Sequence, residues 1–155
     1  MIDLRRILVP TDFSKFSKNA LTYAVAFAEK FGAELYLLHV VQDLALFVPE
    51  AITVAPPLAP PVEQFIEAAR TALDRVMKDC CPPSILVHPE VVEGTPFHEI
   101  INSAREKDVD LIVMGTHGHA GLAHVLLGSV AEKVVRKAPC PVLTVRHPEH
   151  EFVHP

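Results

Sequence analysis

Hydrophobic positions along the chain fall into two alternating rhythms. Five short runs, "RRILVP" (5–10), "AELYLLHVV" (33–41), "SILVHPEVVEG" (84–94), "VDLIVMG" (109–115) and "CPVLTV" (140–145), are dense in Leu, Ile and Val and bounded by Gly, Pro or polar residues, which predicts strands. Four are nearly continuous in apolar residues, as expected of parallel strands covered on both faces. The third alternates more, which predicts an edge position.

Between the strands, apolar residues recur at helical spacing. Phe16, Ala20, Tyr23, Ala24, Phe27, Ala28 and Phe31 form one stripe; Val62, Phe65, Ile66, Ala69, Leu73, Val76 and Met77 form a second. A third, Phe97, Ile100, Ile101 and Ala104, follows Thr95 as N-cap and Pro96 at the first helical position. The fourth begins within "GSVAEKVVRKA", where Ser129 and Glu132 have the spacing of a capping box. This alternation predicts an α/β fold, a single doubly wound five-stranded parallel sheet with helices on both faces, and the order taken for it is 3-2-1-4-5. Such sheets bind ligands beyond the carboxyl ends of the strands, where the winding reverses. Here that point lies between the first and fourth strands, where "PTDFSK" and "GTHGHAGLAHVLLGS" meet. One domain is expected over 1–147, with a proline-rich connection or lid at 42–61 and a flexible tail at 148–155.

Composition narrows the function. The chain has 155 residues, half of them hydrophobic and 21% charged, enough for an apolar core without crosslinks. A formal charge of −5 offers no basic face for nucleic acid. Cys80 and Cys81 are adjacent and Cys140 stands apart; without CxxC or metal-type spacing they read as reduced thiols of a cytoplasmic protein. No apolar run reaches membrane-spanning length, and that of "MIDLRRILVP" is too short for a signal segment.

The richest stretch is "MGTHGHAGLAHVLLGSV", Met114 to Val130. Gly115, two residues, Gly118, nine residues, Gly128 and Ser129 follow one another, and the last pair opens a helix. Glycines let backbone N–H groups approach a phosphate, and a helix N-terminus carries partial positive charge. The same residues also read as a strand end, turns and a cap with no ligand. Other nucleotide signatures are absent. There is no GxxxxGK[ST], "PTDFSK" replaces GxGxxG after the first strand, and "HGH" is one residue short of HxGH.

This G-x2-G-x9-G-[ST] pattern resembles the ATP-binding signature of the universal stress protein family. The resemblance extends through "RRILVPTDFS", "ELYLLHVV", "VVEGTPFHEII", "DLIVMGTHG" and "GSVAEKVVRKAPCPVLTVR", nearly the whole chain. It implies the same fold and ATP, ADP or AMP as ligand, with Mg²⁺ or Mn²⁺ as a possible companion. Gly115, His117 and Gly118, after Met114, would face ribose and phosphates, and Gly128, Ser129 and Val130 the remaining phosphate contacts. Asp12, flanked by Pro10 and Thr11, matches an acidic position near the nucleoside. Its carboxylate could accept from an adenine amine or ribose hydroxyl, support a metal-bound water, or cap the first helix with Ser14. Val40 matches a position whose main chain reads the adenine edge; as a side chain it also fits a buried strand.

The family often carries a basic residue in the phosphate loop, whereas this chain has His117, His119 and His124. Phosphate binding would rest on backbone dipoles and a cation, with affinity expected to strengthen as pH falls from about 8 to about 6 if these histidines protonate. Metal binding by His117 and His119, or by His147, His150 and His154, is disfavoured because no acid or cysteine completes a set. No nucleophile with a paired base is readable, so no catalytic residue is assigned and at most slow ATP hydrolysis is expected. The reading is therefore an ATP-dependent switch or signalling module acting in a stress response. The resemblance implies a homodimer through the last strand, Pro141 to Val145, with a further protein partner open. The alternative is a dimeric protein-interaction scaffold that binds no nucleotide.

Overall fold

A computed structural model of the chain describes residues 1–42, 61–117 and 127–147. Five strands and four helices alternate: β1 (Arg6–Pro10), α1 (Lys15–Phe31), β2 (Glu34–Val41), α2 (Val62–Cys80), β3 (Val87–Glu93), α3 (Pro96–Glu106), β4 (Leu111–Gly115), α4 (Ser129–Lys137) and β5 (Val142–Val145). All pairings are parallel and the order is β3-β2-β1-β4-β5, as expected. The more alternating third run is an edge strand.

Because side chains alternate across a strand, the sheet feeds two cores. Ile7, Val9, Leu35, Leu37 and Val113 pack against Ala20, Leu21, Ala24 and Ala28 of α1 and Leu73 of α2. Leu8, Leu38, Ile112 and Met114 pack against Ile100 and Ala104 of α3 and Ala131 and Val134 of α4. The strands are therefore covered from both sides, which is why they read as nearly unbroken apolar runs.

Three features differ from the sequence reading. In α1 the buried stripe is Ser17, Ala20, Leu21, Ala24 and Ala28, whereas Tyr23 and Phe31 are exposed. Small residues bring this helix close to the sheet, and the aromatics flank the contact instead of filling it. Phe65 of α2 is likewise exposed, with Ala69 and Leu73 taking the core. In α4 the N-cap is Gly128, whose carbonyl accepts from Glu132 N at 2.9 Å, so Ser129 is already the first helical residue. The expected capping box is absent, and Glu132 instead pairs with Arg136 at 3.0 Å, one turn along the exposed face. Thr95 does precede α3 as N-cap, with Pro96 next, but makes no side-chain cap bond.

Candidate functional site

The sheet opens where its winding reverses. Strands β1 and β4 pair only at Ile7↔Leu111 and Leu8↔Ile112. Beyond that point each follows its outer neighbour: Val9 and Pro10 pair with Leu37 and Leu38, while Val113 to Gly115 pair with Leu143 to Val145. Pro10, Thr11 and Asp12 stand on one side of this opening and Met114 to His117 on the other. The split is the crevice that a 3-2-1-4-5 order requires.

On the β1 side, four residues form a tightly bonded bend. Thr11 N donates to the Leu38 carbonyl at 2.8 Å, and Thr11 Oγ1 accepts from Phe13 N at 3.1 Å. Asp12 Oδ1 accepts from Ser14 N at 3.0 Å, and Ser14 Oγ caps α1 by accepting from Ser17 N at 3.2 Å. Asp12 thus supports the cap from two residues before it, as one of the sequence readings had it. His39 Nδ1 lies 2.8 Å from the Thr11 carbonyl. Val40 follows on β2, half-buried and packed against the α3/α4 core, in register with Val92 of β3. Its N–H and carbonyl lie on the β1 side, since Leu35 and Val41 bond toward β3 and Leu38 toward the β1 side.

On the β4 side, Thr116 ties three elements together. Its N–H donates to the Val145 carbonyl at 3.1 Å, and its own carbonyl accepts from Gly128 N at 2.6 Å. Thr116 Oγ1 and His117 Nδ1 hydrogen-bond at 2.9 Å, and both residues are buried. The His117 ring lies 6.0 Å from the Phe16 ring, which also packs edge-on against His147 at 5.6 Å. Gly118, His119 and His124 lie outside the described residues, as do most of the 42–61 connection and the 148–155 tail with His150 and His154.

Two signature glycines prove to have packing roles that glycine spacing does not reveal. A Cβ on Gly115 would lie 3.1 Å from both the carbonyl carbon and oxygen of Phe16, and one on Gly128 would lie 3.0 Å from the Thr116 carbonyl oxygen. Neither has a positive φ; the missing side chain makes room for neighbouring backbone. Their close approach brings the start of α4 against the end of β4. Because the α4 cap is glycine, no side chain bonds the helix tip. Ser129 is exposed and Val130 half-buried beside it. Their N–H groups belong to the helix's first turn, where intrahelical acceptors are lacking. An anion can be met there by backbone alone.

The sequence reading overlooked His39, Phe13 and Thr116. A histidine in an apolar strand and a threonine after a glycine carry no spacing signal; only the fold brings them to the crevice. The shifted thiols are at the other end of the sheet. Burial, reinforced by neighbouring Cys80, pushes the Cys81 thiol up to about 11, and burial likewise raises that of Cys140. Neither is a thiolate nucleophile at neutral pH. Among the described residues no group of three or more His, Cys, Asp or Glu could hold a metal ion, and no helix is long and apolar enough to cross a membrane.

Comparison with known proteins places this geometry among relatives. The sequence model of the universal stress protein family matches residues 3–146. The chain is 41% identical to universal stress protein MJ0531 of Methanocaldococcus jannaschii over 95% of its own length and 85% of that protein's. The solved structure of MJ0577, from the same organism, superposes with a TM-score of 0.80 at 32% identity, covering 96% of this chain and 99% of the other. A universal stress protein solved in complex with cAMP matches with a TM-score of 0.64 at 26% identity, over 93% of this chain and 98% of that one.

Proposed function

This chain belongs to the universal stress protein family, and from that premise we propose that it binds an adenine nucleotide in the crevice between β1 and β4. It acts there as an ATP-dependent switch or signalling module, with at most slow hydrolysis. The observation that carries this reading is the glycine-capped start of α4 at the point where β1 and β4 part. Ser129 and Val130 would give their N–H groups to phosphate oxygens, with Gly115, His117 and Gly118 lining the approach. The Val40 main chain and Asp12 would meet the nucleoside. ATP, ADP and AMP share this recognition, and the relative bound to cAMP supports an adenine ligand. Mg²⁺ or Mn²⁺ would travel with the phosphates, since among the described residues no preformed cluster awaits a cation.

Homodimerisation is part of the same reading, and the two sheet edges differ in the way it requires. The bonds Leu35 N to Leu86 O and Gly94 N to Val41 O aim the even-numbered positions of β3 at β2, so Pro89 faces outward. It removes an outward donor and blunts that edge. On β5, the bonds Ile112 N to Pro141 O and Thr116 N to Val145 O leave Val142 and Thr144 facing outward with their N–H groups intact. Pairing of Pro141 to Val145 with a second copy would use them. A cytoplasmic role in stress responses accords with this reading.

One observation favours the rival, a dimeric interaction scaffold without nucleotide: Gly115 and Gly128 are both explained by packing alone. Denaturing the purified protein and analysing the released small molecules by mass spectrometry separates the two. Stoichiometric ATP, ADP or AMP supports the switch. An empty protein whose melting temperature no adenine nucleotide changes supports the scaffold.

A further inference from the structure

The bend that carries Asp12 contains a conformational anomaly. Phe13 has φ of +64°, in the left-handed region that a bulky side chain rarely adopts. Such conformations persist only where surrounding contacts over-determine them, and they concentrate at ligand-binding positions. Here one imidazole supplies contacts on both sides of Asp12. His39 Nδ1 is 2.8 Å from the Thr11 carbonyl, which has no proton to give, so Nδ1 carries the hydrogen and donates. The same ring lies against the Phe13 ring, with centroids 4.4 Å apart and planes inclined by 30°. Phe13 N is in turn held by Thr11 Oγ1 at 3.1 Å.

Resting on the nucleotide reading above, we propose that His39 is a positioning residue for the Asp12 carboxylate. It fixes the peptide before Asp12 through a hydrogen bond and the residue after it through ring contact, and so sets the direction in which the carboxylate meets the nucleoside. Located on β2, an inner strand, and in register there with Val91 of β3, His39 refers the bend to the sheet. The positive φ at Phe13 lies between Asp12 and the Ser14 cap, and across it Asp12 Oδ1 still accepts from Ser14 N.

The test uses four variants of the full chain, His39→Leu, His39→Asn, Asp12→Ala and the double variant of His39→Leu with Asp12→Ala, and two readouts. In the ligand-free protein, amide hydrogen exchange at Phe13 and Ser14 should accelerate about tenfold or more in His39→Leu, as their local hydrogen bonds open more often. His39→Asn, which keeps a donor near the Nδ1 position, should restore much of the protection. In calorimetric titrations with ATP, His39→Leu should bind about tenfold more weakly in the wild-type background and no more than about twofold more weakly on top of Asp12→Ala, because the effect passes through that carboxylate. Equal losses in both backgrounds would overturn the proposal, as would unchanged exchange at Phe13 and Ser14 in His39→Leu. Should the wild-type protein bind no ATP at all, the nucleotide reading fails, and the exchange measurement alone decides whether His39 positions Asp12.

Discussion

Replacing Gly115 by alanine distinguishes a glycine kept for a ligand from one kept for the fold. The added Cβ would sit 3.1 Å from the Phe16 carbonyl carbon and oxygen and 3.2 Å from its Cβ, all in the first turn of α1. Carbon atoms pack comfortably at about 3.5 to 4.0 Å, so the helix start must retreat by a few tenths of an ångström. It has little freedom to do so. Ser14 and Ser17 bond one another, Thr11 Oγ1 lies 3.1 Å from Ser17 Oγ, and Asn19 Nδ2 donates to the Arg146 carbonyl at 2.9 Å. Overpacking of this kind costs about 1–3 kcal/mol. The unfolded chain becomes less flexible on Gly→Ala, which offsets about 0.4–1 kcal/mol. The net loss, centred at about 1.3 kcal/mol, corresponds, at about 2–4 °C per kcal/mol for a chain of this size, to a Tm roughly 3–5 °C lower. Calorimetric unfolding of the nucleotide-free protein measures it. If Gly115 served only to admit a phosphate, the empty variant would melt at or above the wild-type temperature, and that outcome would refute the packing argument.

Other outcomes follow from single contacts. Ser14→Ala removes the side-chain acceptor for Ser17 N, and urea unfolding should show a loss of about 0.5–2 kcal/mol. Thr144→Pro deletes an outward-facing donor of β5 while leaving bonds to β4 alone; on the proposed pairing of β5, light scattering should report a dimer for the wild type and a monomer for the variant. Cys81 resists ionisation mainly through burial, so at pH 8 a variant retaining it as the single cysteine, without the smaller contribution of Cys80, should react with iodoacetamide about tenfold more slowly than a thiol at the ordinary value of 9.0. The folded thiol titrates higher than the unfolded one, so its contribution to stability is complete below pH 9 and is lost as pH rises toward about 11. A stability that stayed level over that window would contradict this.

Much of the fold was legible because parallel strands covered on both faces write themselves as short apolar runs, and Ile7 to Val9 or Leu111 to Met114 can hardly be read otherwise. The strand order was an expectation added to that pattern, and the crevice between β1 and β4 follows from the order. What spacing could not give was the use of individual residues. Tyr23 and Phe31 share the helical period of α1 but lose the core to alanines, because a helix that lies close to a sheet has no room for rings there. Ser129 and Glu132 have the interval of a capping box, yet Gly128 takes the cap since its N–H is drawn to Thr116. Gly115 and Gly128 stood out as chemistry, and the fold adds a second use for each, making room for neighbouring backbone. His39, silent in the sequence, is joined to the Asp12 bend only by the pairing of β1 with β2.

The central claim is that phosphate is met by main-chain amides at the tip of α4. Titrating ATP into uniformly ¹⁵N-labelled protein and following backbone amide resonances examines that claim at the atoms concerned. The account predicts that the Ser129 and Val130 resonances are among those that move most, saturating together with Asp12. Saturable binding that leaves Ser129 and Val130 unmoved, or no saturable binding at all, would contradict it.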